Sequence, residues 1–235
     1  MSPASLAGKG PRPNRNSEAV NKMIAARLEQ LGIEEAANCI THGFGLLLSI
    51  AGFAVLLVLA VTNGSFWHIA GSVIYGVSLV TLYAASTLYH SCVSPEAKRR
   101  YQVLDHCCIY LLIAGSYTPF LLVALGDTFA FGLLAFVWSF ALAGIAMKVI
   151  FRGRFNAVGM VSYLLMGWAG LFALQPLYAA LGGWPLALVV ASGLSYTTGT
   201  IFFGWKSLKH HHAIWHMFVL GGSVLHYLAV AMFVL

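Results

Sequence analysis

Seven apolar runs dominate the chain, at about 37–62, 66–90, 103–125, 129–151, 155–179, 184–204 and 212–235. Each is long enough to cross a hydrocarbon core of about 30 Å as a helix and far too long for a barrel strand. The gaps between them are short: Asn63-Gly64-Ser65, a charged stretch around Pro95, Gly126-Asp127-Thr128, Arg152 to Arg154, Gly182-Gly183, and Trp205 to His211. No soluble domain fits into such gaps. The pattern predicts an all-α bundle of seven transmembrane helices over 33–235. Ahead of it, Val20, Met23, Ile24, Leu28 and Leu31 form one helical stripe. Segment 17–32 is therefore expected to be a cytoplasmic interfacial helix, with Ser17 as N-cap and Glu18 in its first turn. Residues 1–16, rich in proline and asparagine, are expected to be a disordered tail.

Composition supports lipid as the solvent: 60% of residues are apolar and only 9% charged, against roughly a quarter charged in soluble domains. The net charge of +6 does not point to nucleic acid. With seven spans, all 13 Lys and Arg residues fall on one side, at the N-terminus and in the second, fourth and sixth loops. The positive-inside rule then places the N-terminus in the cytoplasm and the C-terminus outside. Cys39, Cys92, Cys107 and Cys108 show no CxxC spacing and suggest no disulfide framework. The first 36 residues contain no early apolar run, so the spans themselves are expected to direct insertion.

Orientation gives each polar residue a depth. Ser86 and His90 fall at the cytoplasmic end of the second span, Asp105 and His106 near the start of the third, and His212 and His216 at the start of the seventh. Glu34, Glu35, Asn38 and His42 occupy the opening turns of the first. In His212-Ala-Ile-Trp-His216 two imidazoles stand one turn apart, about 6 Å along the axis, the spacing with which a helix offers two ligands to one zinc ion. Ser86 and His90 repeat the i, i+4 form. Three imidazoles with an open fourth position suit a catalytic zinc site, and Asp105 at the same depth is a candidate base. A single HxxxH at a helix start arises often by chance, and interfacial histidines snorkel. The argument therefore rests on five polar residues sharing one layer, where burial of ionisable groups is costly. His210 and His211 read as interfacial. His226 lies about 15 Å beyond His216 by helical rise, and His68 at the far end of its span, so neither can join the same ion. Pro119 inside the third span predicts a kink. Trp67, Tyr178, Trp184 and Trp205 read as interface anchors.

Glu35-Ala-Ala-Asn38-Cys-Ile-Thr-His42 has the form ExxNxxxH. It is followed by SxxxH at Ser86 and His90, by Asp105, by the YTP element of span three, and by HxxxH at His212 and His216. In this order, over roughly residues 34–235, the set resembles the progestin and adipoQ receptor family, and more closely its bacterial hemolysin III branch. The resemblance implies a multi-pass protein of the bacterial cytoplasmic (inner) membrane. It also implies zinc held by His90, His212 and His216, a water contacted by Asp105 with Ser86 adjacent, and Glu35, Asn38 and His42 in support. Related alkaline ceramidases carry a similar constellation and hydrolyse lipid amides. The expected function is therefore zinc-dependent hydrolysis of a lipid amide in membrane lipid homeostasis, with a membrane lipid as substrate or ligand; no protein hormone is expected as a partner, since no sizeable external surface exists to bind one. A homo-oligomer is compatible with the sequence. The alternatives are a non-catalytic sensor or receptor-like regulator braced by structural zinc, and a hemolysin-type pore or transporter. A retinal pump is excluded because the last span has no lysine for a Schiff base.

Overall fold

The computed structural model describes residues 15–152 and 155–234, with some side chains, mostly before residue 32, left outside that description. The helices are α1 (Arg15–Asn63), α2 (Phe66–Ser91), α3 (Pro95–Pro119), α4 (Thr128–Ile150), α5 (Asn156–Trp168), α6 (Leu174–Leu181), α7 (Gly183–Gly204) and α8 (His211–Phe233). A π-helical turn, Phe120–Leu125, extends α3, and a 3₁₀ turn, Ala169–Ala173, joins α5 to α6. Among the described residues, seven stretches are long and apolar enough to span a membrane: Gly32–Thr62, Phe66–Ser91, Pro95–Leu125, Thr128–Ile150, Ala157–Leu181, Gly183–Gly204 and His211–Met232. The seven-helix architecture is as the apolar runs predict.

Two boundaries differ from expectation. The segment expected as a separate interfacial helix is continuous with the first span, in one helix of 49 residues; no proline or glycine pair intervenes to break it. Its stripe residues Val20, Met23 and Ile24 are exposed. The side chains of Ser17, Glu18, Leu28 and Leu31, and the tail through residue 14, lie outside the described residues. The third span begins at Pro95 rather than 103, because Pro at the first helical position behind Ser94 is a strong start signal that charge masked.

Local chemistry sets the turns. Asp127 caps α4 by accepting the Ala130 N–H at 2.8 Å. Gly126 ends the π turn at φ 64°, a conformation open to glycine, and donates to the Leu121 carbonyl at 3.0 Å. At the expected kink, Pro119 supplies no N–H, and the Phe120 N–H turns to the Tyr117 carbonyl. The Ser116 carbonyl instead meets His226 Nε2 at 3.0 Å. Span five breaks opposite this point: the Tyr117 hydroxyl reaches the Met166 and Gly167 carbonyls at 3.0 and 2.6 Å and accepts the Gly170 N–H at 2.7 Å. Irregular backbone is thereby satisfied from a neighbouring helix, as lipid requires.

Helices α1, α2 and α3 pack in sequence, α7 packs along α8, and α8 returns against α1. Leu56, Tyr75, Leu79, Tyr83, Leu112, Leu121 and Val230 are buried between them. Close approach needs small residues: a Cβ on Gly71 would lie 3.1 Å from the Pro119 Cα. Trp67, Tyr178, Trp184 and Trp205 are exposed, as anchors must be. Alternation of the spans puts Lys98, Arg99, Arg100, Lys148, Arg152, Lys206 and Lys209 at the end where α1 enters the bundle, termed the basic end below.

Candidate metal centre

His212 and His216 of α8 sit where the packing of α8 against α1 and α2 seals its first turns. His216 is fully buried, His90 is 5% exposed, and His212 is partly buried. One nitrogen from each of the three lies within 4.8 Å of the other two. Ring centroids are 5.0 Å apart for His90–His212 and His90–His216 and 4.6 Å for His212–His216. The sequence-predicted trio is therefore assembled from α2 and α8, and among the described residues it is the one such group of three.

The hydrogen bonding assigns the facing atoms. His90 Nδ1 pairs with Glu35 Oε2 at 2.8 Å, and His216 Nδ1 with the Thr41 hydroxyl at 3.1 Å. The Nε2 atoms of His90, His212 and His216 are all buried without a hydrogen-bond partner among the described residues. Three convergent imidazole nitrogens left bare inside a span would be costly, and a cation bound to all three removes that cost. The donor set fits zinc: with Zn–N near 2.0–2.1 Å, tetrahedral ligands sit about 3.4 Å apart, within reach of small ring rotations. A carboxylate or hydroxyl on the far nitrogen of each ligand is the usual support.

The remaining predicted residues gather around this layer. Asp105 is 5% exposed and faces the Ser86 hydroxyl, while Ser86 Oγ is buried beyond hydrogen-bond geometry with any described partner. His42 stacks on His216 with centroids 3.4 Å apart and meets Tyr83 edge-on at 5.1 Å. Asn38 is buried, and its carbonyl accepts from Thr41 at 2.9 Å. Glu35 also holds Lys98 Nζ at 3.0 Å. Lys206, in the loop before α8, lies 4.3 Å from the centroid of the Phe203 ring, and burial pulls its ammonium pKa down.

A cavity of about 200 Å³ reaches this layer at His42 and Asp105. It runs along α3, the broken span five, α7 and α8 as far as Phe120, Leu177 and His226, with mostly apolar walls. Among the described residues Asp127 is the one Asp, Glu, Lys or Arg in the half of the bundle away from the basic end, yet that half is not apolar throughout. Ser223 Oγ meets both the Tyr83 and Tyr196 hydroxyls at 2.9 Å, and His226 is engaged at Ser116, away from the His90, His212 and His216 trio as its spacing required.

A family model described as haemolysin-III related matches residues 32–227. The chain belongs to that family. The Hemolysin-3 homolog of Bacillus subtilis (strain 168) is 50% identical over 190 residues, covering 81% of this chain and 89% of the relative. Hemolysin-3 of Bacillus cereus is 44% identical over 209 residues, covering 89% and 95%. The human Monocyte to macrophage differentiation factor is 30% identical over 205 residues, covering 84% and 83%. The resemblance carried by the ordered motifs is thus borne out, and the chain is a multi-pass protein of the cytoplasmic membrane. Two supporting residues of this family member escaped sequence reasoning, Thr41 and Lys98. Thr41 stands beside His42 in the first motif, but its partner lies 175 positions away.

Proposed function

We propose that the protein is a zinc-dependent hydrolase of a lipid amide, with its basic end in the cytoplasm. His90, His212 and His216 would hold the metal through Nε2. The chemistry that zinc would supply there is Lewis-acid polarisation of a carbonyl and a water pKa lowered towards 7. Asp105 would accept a proton from a water adding to the amide carbonyl and pass it to the departing amine, so that amide and water become carboxylic acid and amine. Ser86, facing Asp105, positions the water. The cavity takes the acyl chain, and its apolar walls account for chemistry placed below the membrane surface.

The observation that carries this reading is the meeting of bare imidazole nitrogens, a buried carboxyl and an acyl-sized cavity at one depth. A metal that only braced α2 against α8 would need neither Asp105 nor the cavity. The test is metal analysis of the purified protein coupled to a lipid-amide panel. Wild type should carry one zinc per chain and release fatty acid; Asp105→Ala should keep the zinc and lose turnover by about 10²–10⁴-fold. Zinc-loaded protein that hydrolyses nothing in the panel, with Asp105→Ala indistinguishable in every assay, would leave the bracing role standing instead.

A further inference from the structure

Helix α8 turns one seam to the cavity, and residue spacing sets that seam. Trp215, Val219 and His226 stand four and seven residues apart, so by helical rotation they fall within about 40° of one another. All three line the cavity. His226 is 8% exposed, and its ring packs against Tyr75 and Phe120 with centroids 5.5 and 5.3 Å away. Its Nε2 lies 3.0 Å from the Ser116 carbonyl oxygen. A carbonyl oxygen only accepts, so Nε2 carries the hydrogen. In the uncharged ring, the form that costs least within a span, Nδ1 is then an acceptor. Among the described residues no hydrogen bond reaches Nδ1.

The other polar side chains on this part of the wall are committed. The Ser116 hydroxyl donates to the Ile113 carbonyl at 2.8 Å, and the Tyr117 hydroxyl is held by the broken backbone of span five. The Thr197 hydroxyl donates to the Gly193 carbonyl at 2.8 Å and accepts the Trp168 indole N–H at 3.0 Å. Tyr196 shares its hydroxyl with Ser223 at 2.9 Å. A mostly apolar wall therefore keeps one acceptor in reserve, and an acceptor selects a donor.

We propose that His226 is a specificity residue that accepts a hydroxyl carried part-way along the acyl chain of the bound lipid. This rests on the acyl-chain role given to the cavity above and names the substrate class as hydroxylated chains. Spacing places the hydroxyl. His226 lies ten residues, about 15 Å, beyond His216 along α8. An extended chain of tetrahedral carbons with bonds near 1.5 Å advances about 1.25 Å per carbon. The hydroxyl therefore falls about twelve carbons from a carbonyl held at the metal layer. In the bilayer core such a hydroxyl has no partner, so the site improves on the lipid phase by one hydrogen bond, about fivefold in affinity.

The test uses the full-length protein in phosphatidylcholine nanodiscs and four probes: octadecanoate, its 6-hydroxy and 12-hydroxy derivatives, and 12-oxooctadecanoate. Wild type should bind the 12-hydroxy acid about fivefold more tightly than octadecanoate. The 12-oxo acid, which only accepts, and the 6-hydroxy acid should each stay within about twofold of octadecanoate. His226→Phe should bring the 12-hydroxy acid to within about twofold of octadecanoate while leaving octadecanoate itself bound as in wild type. Equal gains from hydroxyl and ketone at carbon 12, no gain from either, or a gain that survives His226→Phe overturns the proposal. If His226→Phe does not fold, the comparison of hydroxyl with ketone on wild type decides it. Zinc content and amide turnover are measured on the same samples. Inactive protein that keeps the 12-hydroxy preference removes the hydrolase reading alone, and active protein without that preference removes the His226 assignment alone.

Discussion

Replacing Glu35 by Gln isolates the support given to one proposed metal ligand, His90. Glu35 Oε2 stands 2.8 Å from His90 Nδ1, so the ionised carboxylate orients the ring and pushes electron density towards Nε2. Glutamine keeps the shape and can still accept from Nδ1–H through its amide oxygen, but loses the charge. A charge-assisted bond is roughly twice as strong as a neutral one, a difference of about 1 kcal/mol. The Glu35 side chain is 36% exposed and shared with Lys98 at 3.0 Å, so solvent screening keeps the effect at that lower end. The expected loss is about fivefold to tenfold in zinc affinity, at the bottom of the range for outer-shell partners. Competition of purified protein against a chromophoric chelator measures it, with His90→Ala as the reference for losing a ligand. If Glu35→Gln holds zinc as tightly as wild type while His90→Ala releases it, the carboxylate does not support the ligand.

Three further outcomes follow from the packing. Thr41→Val removes the hydroxyl on His216 Nδ1 at 3.1 Å and should weaken zinc binding by about tenfold in the same competition; unchanged affinity would mean the Asn38–Thr41 turn does not orient His216. Ser223→Ala leaves the Tyr83 and Tyr196 hydroxyls, each 2.9 Å away, without their shared partner, and thermal unfolding in detergent should report a loss of about 1 kcal/mol with zinc content intact. Gly71→Ala puts a methyl 3.1 Å from the Pro119 Cα and should lower Tm clearly, whereas Gly132→Ala, with nothing within 4 Å of its Cβ, should not; equal shifts would mean that the α2–α3 contact yields freely.

Much of the site is legible in the sequence, because its parts are local. His212 and His216 advertise themselves by one-turn spacing, and the hydropathy pattern fixes their depth. Span number and basic-residue asymmetry then bring Ser86, His90 and Asp105 to the same layer. The departures are local as well: the Pro95 start of α3 is hidden by the charges that follow it, and no sequence signal marks where an amphipathic helix fuses to a span.

What the sequence could not express is the direction in which side chains turn once helices meet. Lys148 reads as one more basic residue at a cytoplasmic end, and only the packing of α4 against span five, with Gly159 opposite, turns its ammonium inward. Thr41 reaching His216, Glu35 reaching His90 and His42 stacking on His216 each join residues far apart in the chain. Hydropathy depends on each residue's own transfer free energy and survives any arrangement of helices, so the sequence alone determined seven spans and one polar layer. Which nitrogens stay bare, and where a cavity and a buried cation lie beside them, depends on helix rotation and contact, and tertiary structure decided it.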